Sequence, residues 1–180
     1  MPQKEISYEE TKQKIIGALH KHSIGVLASS NGGVVTSREM RLIYDGIIIY
    51  CYTTIDSRKF RQITINPNVA ISVSLIQIEG VASILGHPAK PENAKFFKLY
   101  KEQQPQAFEF SYNEYLADGK NAEVRLISIM PRRIALYLSG EPAISAGYTS
   151  VGCLDILNTE KQQAYRVGVY EYKDSPAYYE

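Results

Sequence analysis

Several residue types that mark common catalytic and metal sites are scarce: the 180 residues include no tryptophan, three histidines and two cysteines. Cys51 and Cys153 lie about a hundred positions apart, which indicates neither a disulfide framework nor a cysteine metal site. No Gly-x-Ser-x-Gly nucleophile motif and no glycine-rich phosphate loop occurs in the sequence. We therefore expect no metal site, and the sequence by itself singles out no catalytic residue.

Charge of one sign is not in excess either, because 20 lysines and arginines face 19 aspartates and glutamates. Nucleic-acid-binding proteins usually carry a basic excess or a basic stripe, so we expect no nucleic-acid partner. The longest apolar run, residues 46–52, is far shorter than the ~20 residues of a membrane-spanning helix. No hydrophobic segment of the signal-peptide type stands at the start of the sequence. We expect a cytoplasmic protein with no membrane partner.

The hydrophobic pattern predicts a mainly β fold with α additions. The chain is expected to enter a first helix directly, because Ser7 and Glu10 form a capping box and helical spacing continues to Leu19. Strand patterns follow at 24–29, 34–44, 47–53, 69–75, 76–86, 124–138 and 165–172, with hairpin turn signals at 31–33 and 45–46. Further helices are predicted at 57–65 and 92–103. Short strands joined by hairpins favour a small antiparallel barrel.

Individual elements carry further expectations. The strand at 47–53 is almost wholly apolar, and we expect it to be buried on both faces. The helix at 92–103 is expected to present one apolar face to a core, formed by Ala94, Phe97 and Leu99. Gly80 is expected to mark a bulge or a close approach, and Pro131 to interrupt its strand.

The segment 52–59 is the most informative for function. A buried strand ends there at Thr53 and Thr54, and a helix begins at Ser57. Free N–H groups at a helix N-terminus attract anions, whereas Arg58 and Lys59 in the first turn are unfavourable unless an anion is bound. Local physics leaves two interpretations open: a phosphate site, or a solvated helix start with two incidental basic residues.

A second basic pair, Arg38 and Arg41, lies on the preceding predicted strand. Strand alternation places these two residues on opposite faces, so only one of them is expected to share a face with a ligand. The alternative is that both are ordinary surface arginines.

Five short motifs occur in order between residues 24 and 86: Ser37-Arg38-Glu39-Met40, Tyr52-Thr53, Ser57-Arg58-Lys59, Asn66-Pro67-Asn68-Val69-Ala70 and Glu79-Gly80-Val81-Ala82. Together they resemble the FMN-binding split barrel of the pyridoxamine 5'-phosphate oxidase-like superfamily. The resemblance covers about a third of the chain. It implies an antiparallel split β-barrel that binds FMN in a groove between the two subunits of a homodimer.

The resemblance also implies roles for individual residues. Arg38 and Lys59 would hold the FMN phosphate, with help from Ser57 and Arg58. The flavin ring system would be met by a second group of residues, namely Glu39, Met40, Arg41, Tyr52, Thr53 and, less directly, Gln77. Residues 1–140 would form the flavin-binding domain, and 141–180 an extension packed on that domain or on the partner subunit.

The function implied is that of an FMN-dependent oxidoreductase acting on a small molecule. The same fold leaves open a deazaflavin cofactor, haem, or a flavin-binding sensor without turnover. The oxidase that names the family carries a Trp and an Arg-x-His motif for its substrate near the C-terminus. This chain has no Trp, and its last histidine is His87. We therefore do not expect it to oxidise pyridoxamine 5'-phosphate.

Overall fold

The computed structural model describes residues 3–117, 120–139 and 148–172. Ten strands in these residues join in one antiparallel sheet. The strands are β1 (Gln3–Ile6), β2 (Ile24–Asn31), β3 (Val34–Arg41), β4 (Ile43–Asp45), β5 (Ile48–Thr54), β6 (Asn68–Val73), β7 (Ile76–Ile84), β8 (Val124–Ser139), β9 (Tyr148–Asn158) and β10 (Gln163–Tyr172). The helices are α1 (Tyr8–Leu19), α2 (Arg58–Ile65), α3 (Ala94–Gln103) and α4 (Pro105–Ser111). A 3₁₀ turn (Pro91–Asn93) precedes α3, and a π-helical turn (Tyr112–Leu116) follows α4. The predicted mainly β architecture with α additions is confirmed.

Strand β8 joins the two halves of the sheet. Its first half pairs with β5, its second half pairs with β9, and β7 runs along its other side. The remaining strands follow in the order β7-β6-β2-β3, while β4 is attached only to β5. The hairpin β4–β5 is therefore held in the sheet by β8, a strand more than seventy residues further along the chain.

Local signals account for the helix starts and the tight turns. The Ser7 side chain accepts the Glu10 N–H over 3.4 Å, and Ser57 accepts the Phe60 N–H over 3.3 Å, as expected of N-capping residues. Gly32, Gly33 and Gly46 have positive φ at the two predicted hairpin turns. The two hairpin turns and the cap at Ser7 are confirmed, and of the two residues at which the second helix could begin, Asp56 and Ser57, it is Ser57 that caps it.

Two hydrophobic clusters form the core. The larger packs α1, through Ile15 and Leu19, against the inner face of the sheet. The smaller lies under α3, where Phe96 and Tyr100 pack against Leu116 and the start of β8. The helix therefore buries an i, i+4 pair, whereas the predicted Ala94 is exposed. Phe97 and Leu99 are half-buried against the same cluster, so the predicted apolar face is confirmed for these two residues and wrong for Ala94, the first residue of α3.

A bulge accommodates Pro131 inside β8. The register between β7 and β8 shifts at Glu79 and Gly80, and Gly80 lies opposite Pro131. A Cβ at Gly80 would lie 2.8 Å from the carbonyl oxygen of Met130, so the close approach predicted there is confirmed. The strand nevertheless continues through Pro131, because the bulge absorbs the missing N–H donor. The predicted interruption is wrong.

Other strand predictions also need correction. Strand β5 is half-buried: Ile49, Cys51 and Thr53 face the core, and the residues between them are partly exposed. The predicted strand 34–44 is divided at Leu42 into two strands. The first, β3, pairs with β2, and the second, β4, pairs with β5. Neither β1 nor β9 was predicted: β1 is defined by pairing with β10, far along the chain, whereas β9 pairs with its neighbours β8 and β10 but shows no clear strand pattern of its own.

Candidate functional site

The start of α2 carries the hydroxyl groups and the two basic side chains that the sequence places there. Strand β5 ends at Thr54, and Ser57 caps the helix, with its hydroxyl also bonded to the Thr53 hydroxyl over 2.8 Å. The first N–H groups of any α-helix have no acceptor within the helix. Arg58 and Lys59 stand in this first turn, which contains no acidic residue. The helix start is therefore a concentration of hydrogen-bond donors and positive charge.

Arg38 adds a third cation to this helix start. Burial lowers the pKa of Lys59, and the charge of Arg38 lowers it further. Burial likewise lowers the pKa of Arg38, with Arg58 contributing by repulsion. In the part of the chain that the structure describes, no carboxylate forms an ion pair with any of the three. The carboxylate of Asp56 raises the pKa of Lys59, but it is outweighed by burial and by the charge of Arg38, so positive charge predominates at this helix start.

The guanidinium of Arg38 is anchored on one side. Nη1 donates to the Leu27 carbonyl over 3.1 Å and to the Ser29 hydroxyl over 2.8 Å, and Nη2 donates to the Thr36 hydroxyl. A guanidinium has five N–H donors. Within the described residues the Nε–H and one Nη2–H make no hydrogen bond, and two such donors on one guanidinium can bind two oxygens of one anion.

A cavity of about 340 Å³ opens beside Lys59. It brings together six of the ten predicted cofactor residues and adds Tyr115 from the π-helical turn: its lining consists of Glu39, Met40, Arg41, Tyr52, Thr53, Thr54, Lys59, Tyr115 and Val124. Ser57 touches this group through its bond to Thr53. Gln77 does not line the cavity; it is exposed on β7, opposite Ser72 and Ala135.

Both arginines of β3 lie near Lys59. The register places Arg38 opposite the buried Leu27 and Arg41 opposite the exposed Ile24, which agrees with the predicted alternation. Arg41 lines the cavity together with Lys59, and Arg38 is close enough to lower the pKa of Lys59. Neither Arg38 nor Arg58 lines the cavity, so of the two arginines of β3 only Arg41 contributes to its wall.

Two glutamines fix the strand end that carries Arg41. Gln104 accepts a hydrogen bond from Arg41 Nη1 over 2.7 Å and donates to the Leu42 carbonyl over 2.7 Å. Gln103 accepts the Tyr44 N–H over 3.0 Å and donates to the Tyr44 carbonyl over 2.6 Å. The end of α3 thus bonds to the backbone of Leu42 and of Tyr44 in β4, as a neighbouring strand would. No sequence motif signalled either glutamine.

A buried chain of hydroxyls lies behind Tyr52. The Tyr52 hydroxyl donates to Ser111 Oγ over 2.9 Å, and Ser111 Oγ lies 2.9 Å from the hydroxyl of Tyr100. Tyr100 donates to the Ala107 carbonyl over 3.2 Å, so Ser111 must donate to Tyr100. Burial raises the pKa of Tyr100 to about 12, which keeps this chain protonated. The chain fixes the ring of Tyr52 against the cavity.

Other reactive residue types have structural environments. His87 Nδ1 accepts the Ala89 N–H over 3.1 Å, so Nε2 carries the proton and donates to the Asn121 carbonyl over 3.0 Å. Cys51 is buried, and burial raises the pKa of its thiol to about 12. Within residues 3–117, 120–139 and 148–172, no cluster of three or more His, Cys, Asp or Glu side chains is arranged to hold a metal. None of the helices described is long and apolar enough to cross a membrane.

The fold and the site define an antiparallel split barrel with a site at a helix start where positive charge predominates. The family model of pyridoxamine 5'-phosphate oxidase matches residues 11–136, more than half of the chain. The chain therefore belongs to the pyridoxamine 5'-phosphate oxidase-like family, and the resemblance carried by the five motifs is confirmed.

The sequence is also similar to an individual bacterial protein. Over 66 residues the chain is 36% identical to general stress protein 26 of Bacillus subtilis, a match that covers 37% of this chain and 47% of that protein. The match thus spans about half the length of that relative.

Solved structures show the same fold at lower identity. A pyridoxamine 5'-phosphate oxidase candidate from Listeria innocua has a TM-score of 0.52 at 22% identity, covering 69% of this chain and 96% of its own. ChuZ from Campylobacter jejuni has a TM-score of 0.62 at 14% identity, covering 89% of this chain and 63% of its own. The predicted split barrel is confirmed.

Proposed function

We propose that the chain is an FMN-dependent flavoprotein that carries out an oxidation or reduction of a small molecule. The observation that supports this most strongly is the convergence of Arg38, Arg58 and Lys59 at the start of α2, where no described carboxylate pairs with them. Like charges repel in the empty protein, whereas a phosphate of −1.5 to −2 charge would reverse the sign of that interaction. The donor set therefore fits the phosphate end of FMN.

The proposal assigns the predicted residues to two parts of the cofactor. Arg38, Lys59, Arg58 and Ser57 would hold the phosphate together with the N–H groups of the helix start. The flavin ring would be oriented by residues that line the cavity, namely Glu39, Met40, Arg41, Tyr52 and Thr53. When bound, the flavin supplies the hydride chemistry, while the protein supplies binding, orientation and exclusion of water.

We further propose a cytoplasmic homodimer with the flavin at the subunit interface. Support comes from the outer face of β2, where Ile24 and Val26 are exposed beside the small residues Ala70 and Ser72 of β6. Exposed apolar surface flanked by small side chains suits close packing against a second subunit. Gln77 would then reach the flavin only in the assembled dimer. Within this proposal, residues 1–140 form the flavin-binding domain and 141–180 an extension.

The experiment that tests the cofactor is the absorption spectrum of the purified protein, followed by extraction and mass spectrometry of whatever is bound. We expect the two-band spectrum of an oxidised flavin and the mass of FMN. The single band of a deazaflavin or the Soret band of haem would contradict the proposal. Reduction of the bound flavin by a small-molecule donor, with turnover, would separate an enzyme from a flavin-binding sensor.

A further inference from the structure

A buried glutamine lies behind Arg38. Gln62, on α2, is 5% exposed, and its side chain makes three hydrogen bonds. Its carbonyl oxygen accepts from the Ser29 hydroxyl over 2.8 Å and from the Thr36 hydroxyl over 2.7 Å. Its amide nitrogen donates to the Val34 carbonyl over 3.1 Å. The Val34 carbonyl fixes the orientation of the amide, because only the nitrogen end can bond to it.

The two hydroxyls that Gln62 binds are also the two that hold Arg38. Each hydroxyl has a single proton, and in both Ser29 and Thr36 that proton goes to the Gln62 oxygen. Their lone pairs are therefore left to accept from Arg38, as the contacts show. A guanidinium cannot accept a hydrogen bond, so a hydroxyl proton turned toward it would be repelled. By accepting both hydroxyl protons, Gln62 thus makes Ser29 and Thr36 hydrogen-bond acceptors for Arg38.

Gln62 also links Arg38 to the helix start. It lies one turn after Arg58 on α2, and it bonds to β2 and β3 through Ser29 and Thr36. One buried side chain therefore connects α2 to the two hydroxyls that anchor the Arg38 guanidinium. Gln62 thereby fixes the position of Arg38 relative to α2, the helix whose start carries Arg58.

We propose that Gln62 is a positioning residue which sets the preference of the site for a phosphorylated flavin over the same ring without phosphate. This inference rests on the function proposed above. Gln62 touches neither part of the flavin; it acts by directing the Nε–H and the remaining Nη2–H of Arg38 toward the phosphate. Binding of the ring itself does not depend on this orientation.

The test compares FMN with riboflavin, which has the ring and no phosphate. Apo-protein is titrated with each ligand by flavin fluorescence, and the ratio of the two dissociation constants is the readout. Gln62→Met keeps the length of the side chain and removes both the acceptor and the donor. We expect this variant to weaken FMN about tenfold and to leave riboflavin unchanged. Asn93→Leu is the matched control, because Asn93 is also a buried amide and bonds only to the carbonyls of Leu85 and His87.

A double-mutant cycle separates positioning from general damage. If Gln62 acts through Arg38, Gln62→Met has no further effect on the FMN-to-riboflavin ratio in an Arg38→Ala background. An additional loss in that background overturns the inference, as does an equal loss of FMN and riboflavin in the single variant. If Gln62→Met does not fold, Thr36→Val removes one acceptor of Arg38 without changing side-chain size and is expected to lower the ratio; an unchanged ratio overturns the inference.

Failure of the proposed function would look different. In that case the wild-type protein itself would show no preference for FMN over riboflavin, and Arg38→Ala would leave the ratio unchanged. A wild-type preference that Arg38→Ala abolishes and Gln62→Met leaves intact would overturn only the role of Gln62.

Discussion

The guanidinium of Arg41 donates to the side-chain carbonyl of Gln104 over 2.7 Å, although 63 positions separate the two residues. The same glutamine donates to the carbonyl of Leu42, so one side chain holds both the cation and the backbone next to it. Arg41 lines the cavity beside Lys59. The end of α3 therefore determines how one wall of the candidate flavin site is placed.

This relationship predicts the effect of Gln104→Ala. We expect the free energy of unfolding to fall by about 1–3 kcal/mol, because a charged donor and a backbone carbonyl both lose a partner. We also expect FMN and riboflavin affinities to fall by the same factor, since Arg41 is assigned to the ring and not to the phosphate. Gln103→Ala is the control: it releases the backbone of Tyr44 only, so stability should fall while both affinities stay unchanged. Urea denaturation and flavin titration measure the two quantities.

Removal of one phosphate-binding cation should affect FMN alone. A charge-assisted hydrogen bond contributes about 1.5–3 kcal/mol, so Lys59→Ala or Arg38→Ala should weaken FMN roughly ten- to hundredfold. Riboflavin should be nearly indifferent to both changes, and Arg41→Ala should change the FMN-to-riboflavin ratio much less. Lys21→Ala serves as a surface control, because Lys21 is exposed in the turn after α1 and does not line the cavity. Equal losses of both ligands in the Lys59 and Arg38 variants would assign these residues to folding.

The parts of this site that the sequence predicts are those whose signals are local. The strand end at Thr53, the cap at Ser57 and the two cations after it lie within seven consecutive residues, and each has its own physical signature. Gln104 reaches Arg41, and Tyr115 reaches the cavity, from a segment with no clear hydrophobic period, so their roles depend on where α3 and α4 pack. Gln62 reads in the sequence as a polar helix residue, and its burial follows only from the packing of α2 on β2.

The fold divides in the same way. Hairpin turns at Gly32, Gly33 and Gly46 were predictable because a positive φ has a strong residue preference. Strand β9 was not, because its partners β8 and β10 define it more than its own pattern does. The continuation of β8 through Pro131 requires the bulge at Gly80, and that bulge exists only once β7 and β8 are paired.

Acid should weaken the contact between α1 and the last two strands. Asp155 is 1% exposed and binds Arg166 at 2.6 and 3.0 Å and Lys14 at 2.8 Å. Burial raises the pKa of its carboxyl, but the hydrogen bonds from Arg166 and Lys14 outweigh burial and lower it overall. A lowered folded-state pKa contributes stability that is present above the unfolded value of about 3.9 and is lost as the pH falls through the folded value.

Asp155→Asn measures this contribution. We expect the free energy of unfolding to fall by about 1.5–3 kcal/mol at pH 7, because two charged donors lose their anionic acceptor. The difference from wild type should shrink below about pH 4, where the carboxyl in the unfolded wild-type protein takes up a proton, while the folded carboxyl with its lowered pKa does so only at lower pH. Denaturation curves of both proteins between pH 7 and pH 3 provide the comparison. A difference that does not change with pH would assign the effect to packing.

Two glycines should respond to alanine in opposite directions. At Gly80 a Cβ would lie 2.8 Å from the Met130 carbonyl and 3.0 Å from the side chain of Ile129, so Gly80→Ala must displace the β7–β8 bulge. We expect a loss of about 1–3 kcal/mol in the free energy of unfolding. At Gly17, inside α1, a Cβ would meet nothing within 4 Å, and Gly17→Ala should gain about 0.5–1 kcal/mol through helix propensity. Thermal unfolding of the two variants checks the sign of each change.

The outer face of β2 should control assembly and flavin binding together. Val26 is 39% exposed and lies between Glu39 of β3 and Ser72 of β6, on the face that we propose for the dimer. Val26→Lys places a charge on that face, whose burial against a second subunit is costly, whereas an exposed lysine on a monomer is tolerated. We expect light scattering to show the mass of a monomer for this variant, with weaker binding of both FMN and riboflavin because the partner's side of the groove is lost. Leu75→Lys is the matched control. Leu75 is also exposed, at 56%, but it lies in the turn between β6 and β7. The mass and both affinities of this variant should therefore stay at the wild-type values. A wild-type protein with a mass of about 20 kDa, its sequence mass being 20.3 kDa, would contradict the dimer directly.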